Sequence, residues 1–268
     1  MAWGGPNPTA PETHAQTVDG GTLTSDSVTL TAGRLYFVGV AAERNDSVSV
    51  VAPTSVVCNG TQAFTIVDAT DGFCAYDTGS ITRKGLWVGY CIPASTVTGT
   101  IVVTFADSYR VQFLSLIEVA SNFSPAAPLI QIDKIVDQDA TGTSTTLTFG
   151  SAMTADSLVI AFIGSGTAAD PSVAPDAAYT ELFADLTSSS ALGHTVHYCT
   201  APDTTMTFTY NSGNQVGAVG VEIRFQAGGG KGSGGKGKGG NTPGPGEPPK
   251  KPLRTSLSKS WKWDRGWR

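Results

Sequence analysis

The sequence predicts an all-β protein made of two tandem β-sandwich domains and an extended C-terminal tail. Three observations predict it. Thr, Ser, Val, Ala and Gly dominate the first 225 residues, the vocabulary of strands and turns. Two stretches of the chain repeat the same series of strand-like segments in the same order. After Phe225 the composition changes abruptly to Gly, Pro, Lys, Arg and Trp. The 268 residues suit two ordinary domains, and a 40% hydrophobic content allows each a core. Charged residues make up only 15%, against roughly 25% in typical soluble domains. No stretch sustains a 3.6-residue apolar period between caps, so very little helix is expected.

Residues 1–15 read as an N-terminal arm. Its start, Met1-Ala2-Trp3-Gly4-Gly5-Pro6-Asn7-Pro8, has neither a basic region nor an apolar run, so no secretory signal is expected and synthesis is placed in a cytoplasm. The longest apolar runs, such as Leu35 to Val40 and Phe113 to Ile117, are strand-sized. They fall well short of the roughly 20 residues of a membrane-spanning helix, and no membrane partner is expected.

The first sandwich is assigned to residues 16–120 and the second to residues 133–226, with a short proline-stiffened linker over 121–132 (Pro125, Pro128) that should hold a preferred inter-domain angle. The duplication runs through five segments. Thr24-Ser25-Asp26-Ser27-Val28-Thr29-Leu30 matches Thr143-Ser144-Thr145-Thr146-Leu147-Thr148-Phe149. Leu35-Tyr36-Phe37-Val38-Gly39-Val40 matches Leu158-Val159-Ile160-Ala161-Phe162-Ile163. Tyr90-Cys91 matches Tyr198-Cys199, and each is followed by a Thr-rich strand, Gly99 to Phe105 and Thr204 to Tyr210. Both copies close on an apolar strand with one acid, Leu116-Ile117-Glu118-Val119 and Val221-Glu222-Ile223.

The spacing differs in one place: Leu35 to Tyr90 is 55 residues and Leu158 to Tyr198 is 40. The extra residues fall within Val48 to Lys84, where Asn59-Gly60 and Asp71-Gly72 signal an added hairpin or long loop. The nearly continuous run Leu158 to Ile163 belongs at a sandwich centre, and six to eight short strands per copy fit an Ig-like or jelly-roll-type sandwich.

The tail, residues 227–268, begins with a Gly/Lys-rich linker and continues through a polyproline-like piece, Pro243 to Pro252. Residues 1–225 hold seven bases and twenty acids, a net of −13, whereas residues 226–268 hold ten bases and two acids, a net of +8. Fully extended, the tail reaches on the order of 140 Å. Three of the five tryptophans stand at its end, interleaved with cations. Such aromatics offer large apolar contacts and cation–π faces, and Trp and Arg are enriched at binding hot spots. Leu253, Arg254, Leu257, Trp261, Lys262, Trp263, Arg265, Trp267 and Arg268 are therefore the candidate partner-docking residues. A solubilising tail is the bland reading, and spaced cations with aromatics also suit single-stranded nucleic acid, which ranks behind a protein partner.

Catalytic and metal chemistry finds little footing. His194 and His197 lie three apart on a strand and so face opposite sides, and His14 is the one other histidine. No Gly-Xaa-Ser-Xaa-Gly elbow exists, and the Ser/His/Asp inventory suggests no triad. Asp68-Ala69-Thr70-Asp71-Gly72 has a calcium-loop flavour but lacks the full EF-hand ligand series, so a turn is its default role. Asp170 and Asp176 also read as turn residues. Cys58, Cys74, Cys91 and Cys199 lack CxxC spacing and read as buried thiols, with a Cys58–Cys74 disulfide as the alternative. No cofactor, metal or catalytic residue is expected.

One resemblance bears on function. Leu158-Val159-Ile160-Ala161, the Pro171 to Pro175 stretch, Tyr179-Thr180-Glu181-Leu182, a Tyr-bearing strand and Thr207-Phe208-Thr209 together resemble β-sandwich domains of tailed-bacteriophage virion proteins, especially minor tail proteins. Those domains usually carry Trp where this chain has Tyr179. The likeness covers the second copy, and the first only when its insertion is allowed for. It implies a non-enzymatic virion component, a homo-oligomer in a symmetric assembly whose partners are other virion proteins. Capsid decoration through the same tail is one alternative. A carbohydrate- or receptor-binding adhesin is another, with a host-surface glycan as partner and Tyr36, Tyr76, Trp87 and Tyr109 as candidate aromatic platforms.

Overall fold

Strands account for the regular structure throughout, and the described residues contain no helix. The computed structural model describes residues 12–16, 20–44, 48–76, 83–119, 123, 125–137, 144–151, 157–166, 174–175, 180–185, 192–199, 205–209 and 215–224. The first half supplies β1 (Glu12–Gln16), β2 (Gly20–Leu30), β3 (Leu35–Glu43), β4 (Ser55–Cys58), β5 (Gln62–Ala63), β6 (Thr65–Ile66), β7 (Phe73–Tyr76), β8 (Lys84–Cys91), β9 (Val97–Tyr109) and β10 (Val111–Val119). The second half supplies β11 (Leu129–Asp137), β12 (Ser144–Thr148), β13 (Ser157–Ser165), β14 (Ala174–Pro175), β15 (Thr180–Asp185), β16 (Gly193–Cys199), β17 (Thr205–Thr209) and β18 (Val216–Arg224).

Each half builds two antiparallel sheets, and the strand orders correspond. The first half has an inner sheet β1-β10-β3-β8-β6, with β7 also on β8, and an outer sheet β2-β9-β4-β5. The second half has an inner sheet β11-β18-β13-β16-β15 and an outer sheet β12-β17-β14. Register agrees as well. Leu35 lies opposite Val119 as Leu158 lies opposite Ile223, and Tyr36 lies opposite Cys91 as Val159 lies opposite Cys199. Each outer sheet also carries a cross-strand threonine pair, though not at matching positions: the Oγ1 atoms of Thr29 and Thr98 are 3.0 Å apart, as are those of Thr146 and Thr207.

Three cores separate four layers. One packs the first outer sheet on the first inner sheet through Leu23, Leu30, Val38, Val40, Trp87, Ile101 and Leu114. Another packs the second inner sheet on the second outer sheet through Leu147, Ala161, Ile163, Met206, Phe208 and Ala218. Between them lies a core that joins the two inner sheets, with Phe37, Leu86, Val88, Phe113 and Ile117 from one half and Leu158, Ile160, Phe162, Val196, Val219 and Val221 from the other. This explains the continuous apolar runs. Every residue of β3 is buried because both faces of its sheet are covered, and the buried β13 is the central strand of its own sheet.

Residues 1–228 accordingly form one compact unit. The sequence leaves the meeting of the two halves to a linker; in the structure their inner sheets share a core. The reading of 121–132 as linker also gives way in part, because β11 begins at Leu129 and runs antiparallel to β18. Glu12–Gln16, assigned to the arm up to residue 15, is likewise an edge strand on β10. Position for position, β1 and β11 play the same part in their sheets.

The insertion of the first half takes two forms. One is the β4–β5 hairpin, whose turn places Asn59 at φ 50° and Gly60 at φ 65° with Thr61 N–H donating to Cys58 O at 3.1 Å, a type I′ arrangement. The other is a loop, Val67 to Gly72, that divides the edge strand beside β8 into β6 and β7. In the second half the same edge is one strand, β15, with a single bulge between Glu181 and Phe183.

Candidate functional site: the face shared by the two halves

Several buried polar and aromatic groups, among them Ser115, His194, Phe162 and Tyr76, meet on the plane between the inner sheets, and glycines on the strands make that meeting possible. A strand glycine marks a place where something approaches the backbone closely. Gly39 on β3 is the first. A Cβ there would stand 2.6 Å from Phe162 Cδ1, 2.9 Å from Ser115 Oγ and 3.0 Å from His194 Nε2. The Phe162 ring and the His194 imidazole of the second half thus rest directly on a bare stretch of the first.

His194 is held from both ring nitrogens. Ile163 O lies 3.0 Å from Nδ1, and a carbonyl can only accept, so Nδ1 carries the proton. Nε2 then accepts from Ser115 Oγ–H at 2.8 Å, a hydrogen bond between the two halves. Burial lowers the imidazole pKa to about 4, against a smaller raising effect of the Ile163 bond. A serine bonded to a histidine is the beginning of a nucleophile–base pair. Here, however, a backbone carbonyl stands in place of an orienting carboxylate, and both side chains are wholly shielded from solvent. The pair braces the interface. Ser115 and His194 are 79 residues apart, so no local motif could have announced it.

A second contact uses the insertion. Gly164 and Gly217 are cross-strand neighbours on β13 and β18. A Cβ on Gly164 would lie 2.1 Å from Tyr76 Oη, and one on Gly217 would lie 2.4 Å from Tyr76 Cδ1 and 2.8 Å from Cys74 Sγ. The glycine pair is therefore a socket, and Tyr76 of β7 fills it. Two lysines cross the same boundary. Lys84 Nζ, almost fully buried, donates to Gly166 O at 2.9 Å. Lys134 Nζ of β11 donates to Thr70 O and Phe73 O and stands 3.8 Å from an Asp71 carboxylate oxygen.

That last contact ties the Asp68–Gly72 segment to β11, and the segment itself forms a turn. Asp68 Oδ1 accepts the N–H groups of Thr70 at 2.7 Å and Asp71 at 2.9 Å, and these bonds, Asp71's first, hold its carboxyl below the usual range. Asp68 Oδ1 thus caps the turn, and the Lys134 ammonium stands beside the Asp71 carboxylate.

His197 faces the other way, as its spacing predicts. Its Nε2 lies 3.2 Å from Thr195 Oγ1, and its ring is 6.5 Å from that of Phe208 in the outer-sheet core. Burial first, and then the charge of His194, lowers its pKa to about 4. Among the described residues no group of three or more His, Cys, Asp or Glu could hold a metal ion.

Tyr36, Tyr76, Trp87 and Tyr109 are all buried, so none presents an aromatic platform to a sugar. Tyr36 Oη instead donates to Glu118 at 2.9 Å beside the Arg34–Glu118 ion pair, and Tyr109 lies under the Arg44 guanidinium, 5.6 Å from centroid to Cζ. The four cysteines are free, buried thiols. Cys58 and Cys74 lie in different cores, on opposite faces of the first inner sheet, which leaves the alternative disulfide without support. Leu253, Arg254, Leu257, Trp261, Lys262, Trp263, Arg265, Trp267 and Arg268 lie outside the described residues, as do Asp170, Asp176 and Tyr179.

No protein-family model matches the chain, and comparison with curated proteins and with solved structures finds no match.

Proposed function

We propose that the chain is a non-enzymatic structural component of a tailed-phage virion, most simply a minor tail or tail-tip protein built of tandem Ig-like or jelly-roll-type sandwiches and attached to its neighbours through the C-terminal peptide. The observation that carries the reading is the division of the chain. An acidic portion with a net of −13 precedes a basic tail with a net of +8 that holds three of the five tryptophans. An oppositely charged, aromatic-rich segment suits steered encounter followed by anchoring in an apolar pocket. The resemblance of the second copy to phage tail sandwiches supplies the setting. The use of buried polar groups such as Ser115, His194 and Lys84 to brace sheets fits a scaffold.

Deleting residues 253–268 tests the proposal. Particles assembled with the truncated chain should lack it, while its circular dichroism and unfolding midpoint stay those of the full chain. Normal incorporation of the truncated chain would overturn the docking role. Capsid decoration through the same tail is separated from tail placement by labelling the protein on intact particles. The glycan-binding reading loses its aromatic candidates to the core, so no observation now favours it over docking.

A further inference from the structure

Equivalent positions of the two halves carry unlike side chains where the inner sheets meet. The shared register makes Gly39 the counterpart of Phe162: each lies four residues beyond the paired leucines Leu35 and Leu158, opposite Ser115 and Val219 respectively. These two positions also touch each other across the plane, the Phe162 ring lying on Gly39. A position that meets its own counterpart would meet itself in a pairing of two identical halves. Two second halves would then drive Phe162 against Phe162, and two first halves would leave Gly39 facing Gly39 across an empty space. Overpacking and a cavity are both destabilising.

The polar contact follows the same rule. The register makes Val219 the counterpart of Ser115 and Leu86 the counterpart of His194. Like-with-like pairing in the same geometry would set His194 against Val219, burying an imidazole whose Nε2 has no donor, or set Ser115 against Leu86. The socket agrees. The counterparts of Gly164 and Gly217 are Ala41 and Phe113, which are paired across β3 and β10, so a first half offers Tyr76 no glycine pair to enter.

We infer that the inner faces form an obligately heterotypic interface: the first-half sheet accepts a second-half sheet as its partner and excludes another first half. Three features at two places enforce the choice: a ring over a glycine and a hydroxyl on an imidazole around Gly39, and a tyrosine in the Gly164–Gly217 socket. A chain made of two similar halves with apolar inner faces risks pairing wrongly between molecules. Unlike side chains at equivalent positions remove that risk without altering the strand pattern.

Two measurements test this. The first uses the intact chain. Gly39→Phe and Phe162→Gly should each lower the unfolding midpoint by about 10 °C or more, while the exchanged double variant, G39F with F162G, loses clearly less than the sum, Ser115 and His194 still crowding position 39. Additive losses in the double variant would overturn the proposal. The second uses a chain with a protease site inserted between Val119 and Leu129, cleaved after folding, then unfolded and refolded. Native mass spectrometry should find the two pieces paired one to one. Homotypic dimers at comparable yield would overturn the proposal, and if the pieces fail to refold the intact-chain cycle decides.

Discussion

At the scale of single residues, two buried imidazoles set how the protein meets acid. His194 and His197 are neutral in the folded chain, with pKa values lowered to about 4, whereas an unfolded histidine titrates near the ordinary 6.5. A depressed folded pKa means that the unfolded chain binds the extra protons. Their contribution to stability is therefore complete above pH 6.5 and is lost as pH falls towards 4, where it levels off. The loss should be on the order of a few kcal/mol for the pair. Urea midpoints measured from pH 7.5 to 4 should decline across this window, and His194→Gln should flatten the decline. A profile that stays level from 7.5 to 4 would contradict the assignment.

The thiols give a second residue-level test. Burial pushes Cys74 and Cys91 up to about 12 and raises Cys58 as well. Native protein at pH 8 should leave all four cysteines unmodified by a thiol reagent over the time in which unfolded protein reacts fully. Reaction of Cys74 in native protein would mean that the interface between the halves opens.

At the scale of elements, the insertion in the first half acquires a purpose. The hairpin β4–β5 and the Val67–Gly72 loop leave β7 free to carry Tyr76 into the socket made by β13 and β18. Gly217→Ala places a methyl 2.4 Å from the Tyr76 ring and should cost about 1–3 kcal/mol, the range for overfilling a packed core. Tyr76→Ala should cost about 3–5 kcal/mol through the cavity it leaves. In the combination the added methyl occupies part of the emptied socket, so the two losses should fall short of their sum. Guanidinium unfolding of the three variants reads this directly, and simple additivity would remove Tyr76 from the socket. The turn of the hairpin was legible in advance, because Asn-Gly is the residue pair that tolerates two positive φ values. The socket was not, because a glycine in a strand marks a close approach without naming what approaches.

At the scale of the whole molecule, the shared core binds the fate of one half to that of the other. The cluster that joins the inner sheets contains Phe37 and Phe113 from one and Phe162 and Val221 from the other. Residues 1–228 should unfold in one calorimetric transition, and Phe162→Ala should lower the protection of amides in β3 and β10 as well as in β13. Two separate transitions, or protection lost in the second half alone, would show that the halves are coupled only weakly. The same architecture bears on truncation: removing residues 253–268 leaves every described strand intact, which makes tail deletion a clean test of docking.

The sequence by itself determined the all-β class, the repeated strand order, the place of the insertion and the opposite faces of His194 and His197. All of these depend on local periodicity and turn chemistry, which neighbouring residues carry within a few positions of one another. Only the tertiary structure decided that the two halves share a core, that Ser115 finds His194, that Tyr76 fills a glycine pair and that Lys134 reaches the Asp71 loop. Such contacts join residues tens of positions apart. An apolar strand face is equally satisfied by any apolar cover, so the residues of β3 and β13 specify burial on both sides without specifying the partner. Partner choice rests on a few complementary shapes and hydrogen bonds, Gly39 under Phe162 foremost, and these have meaning only once both surfaces exist.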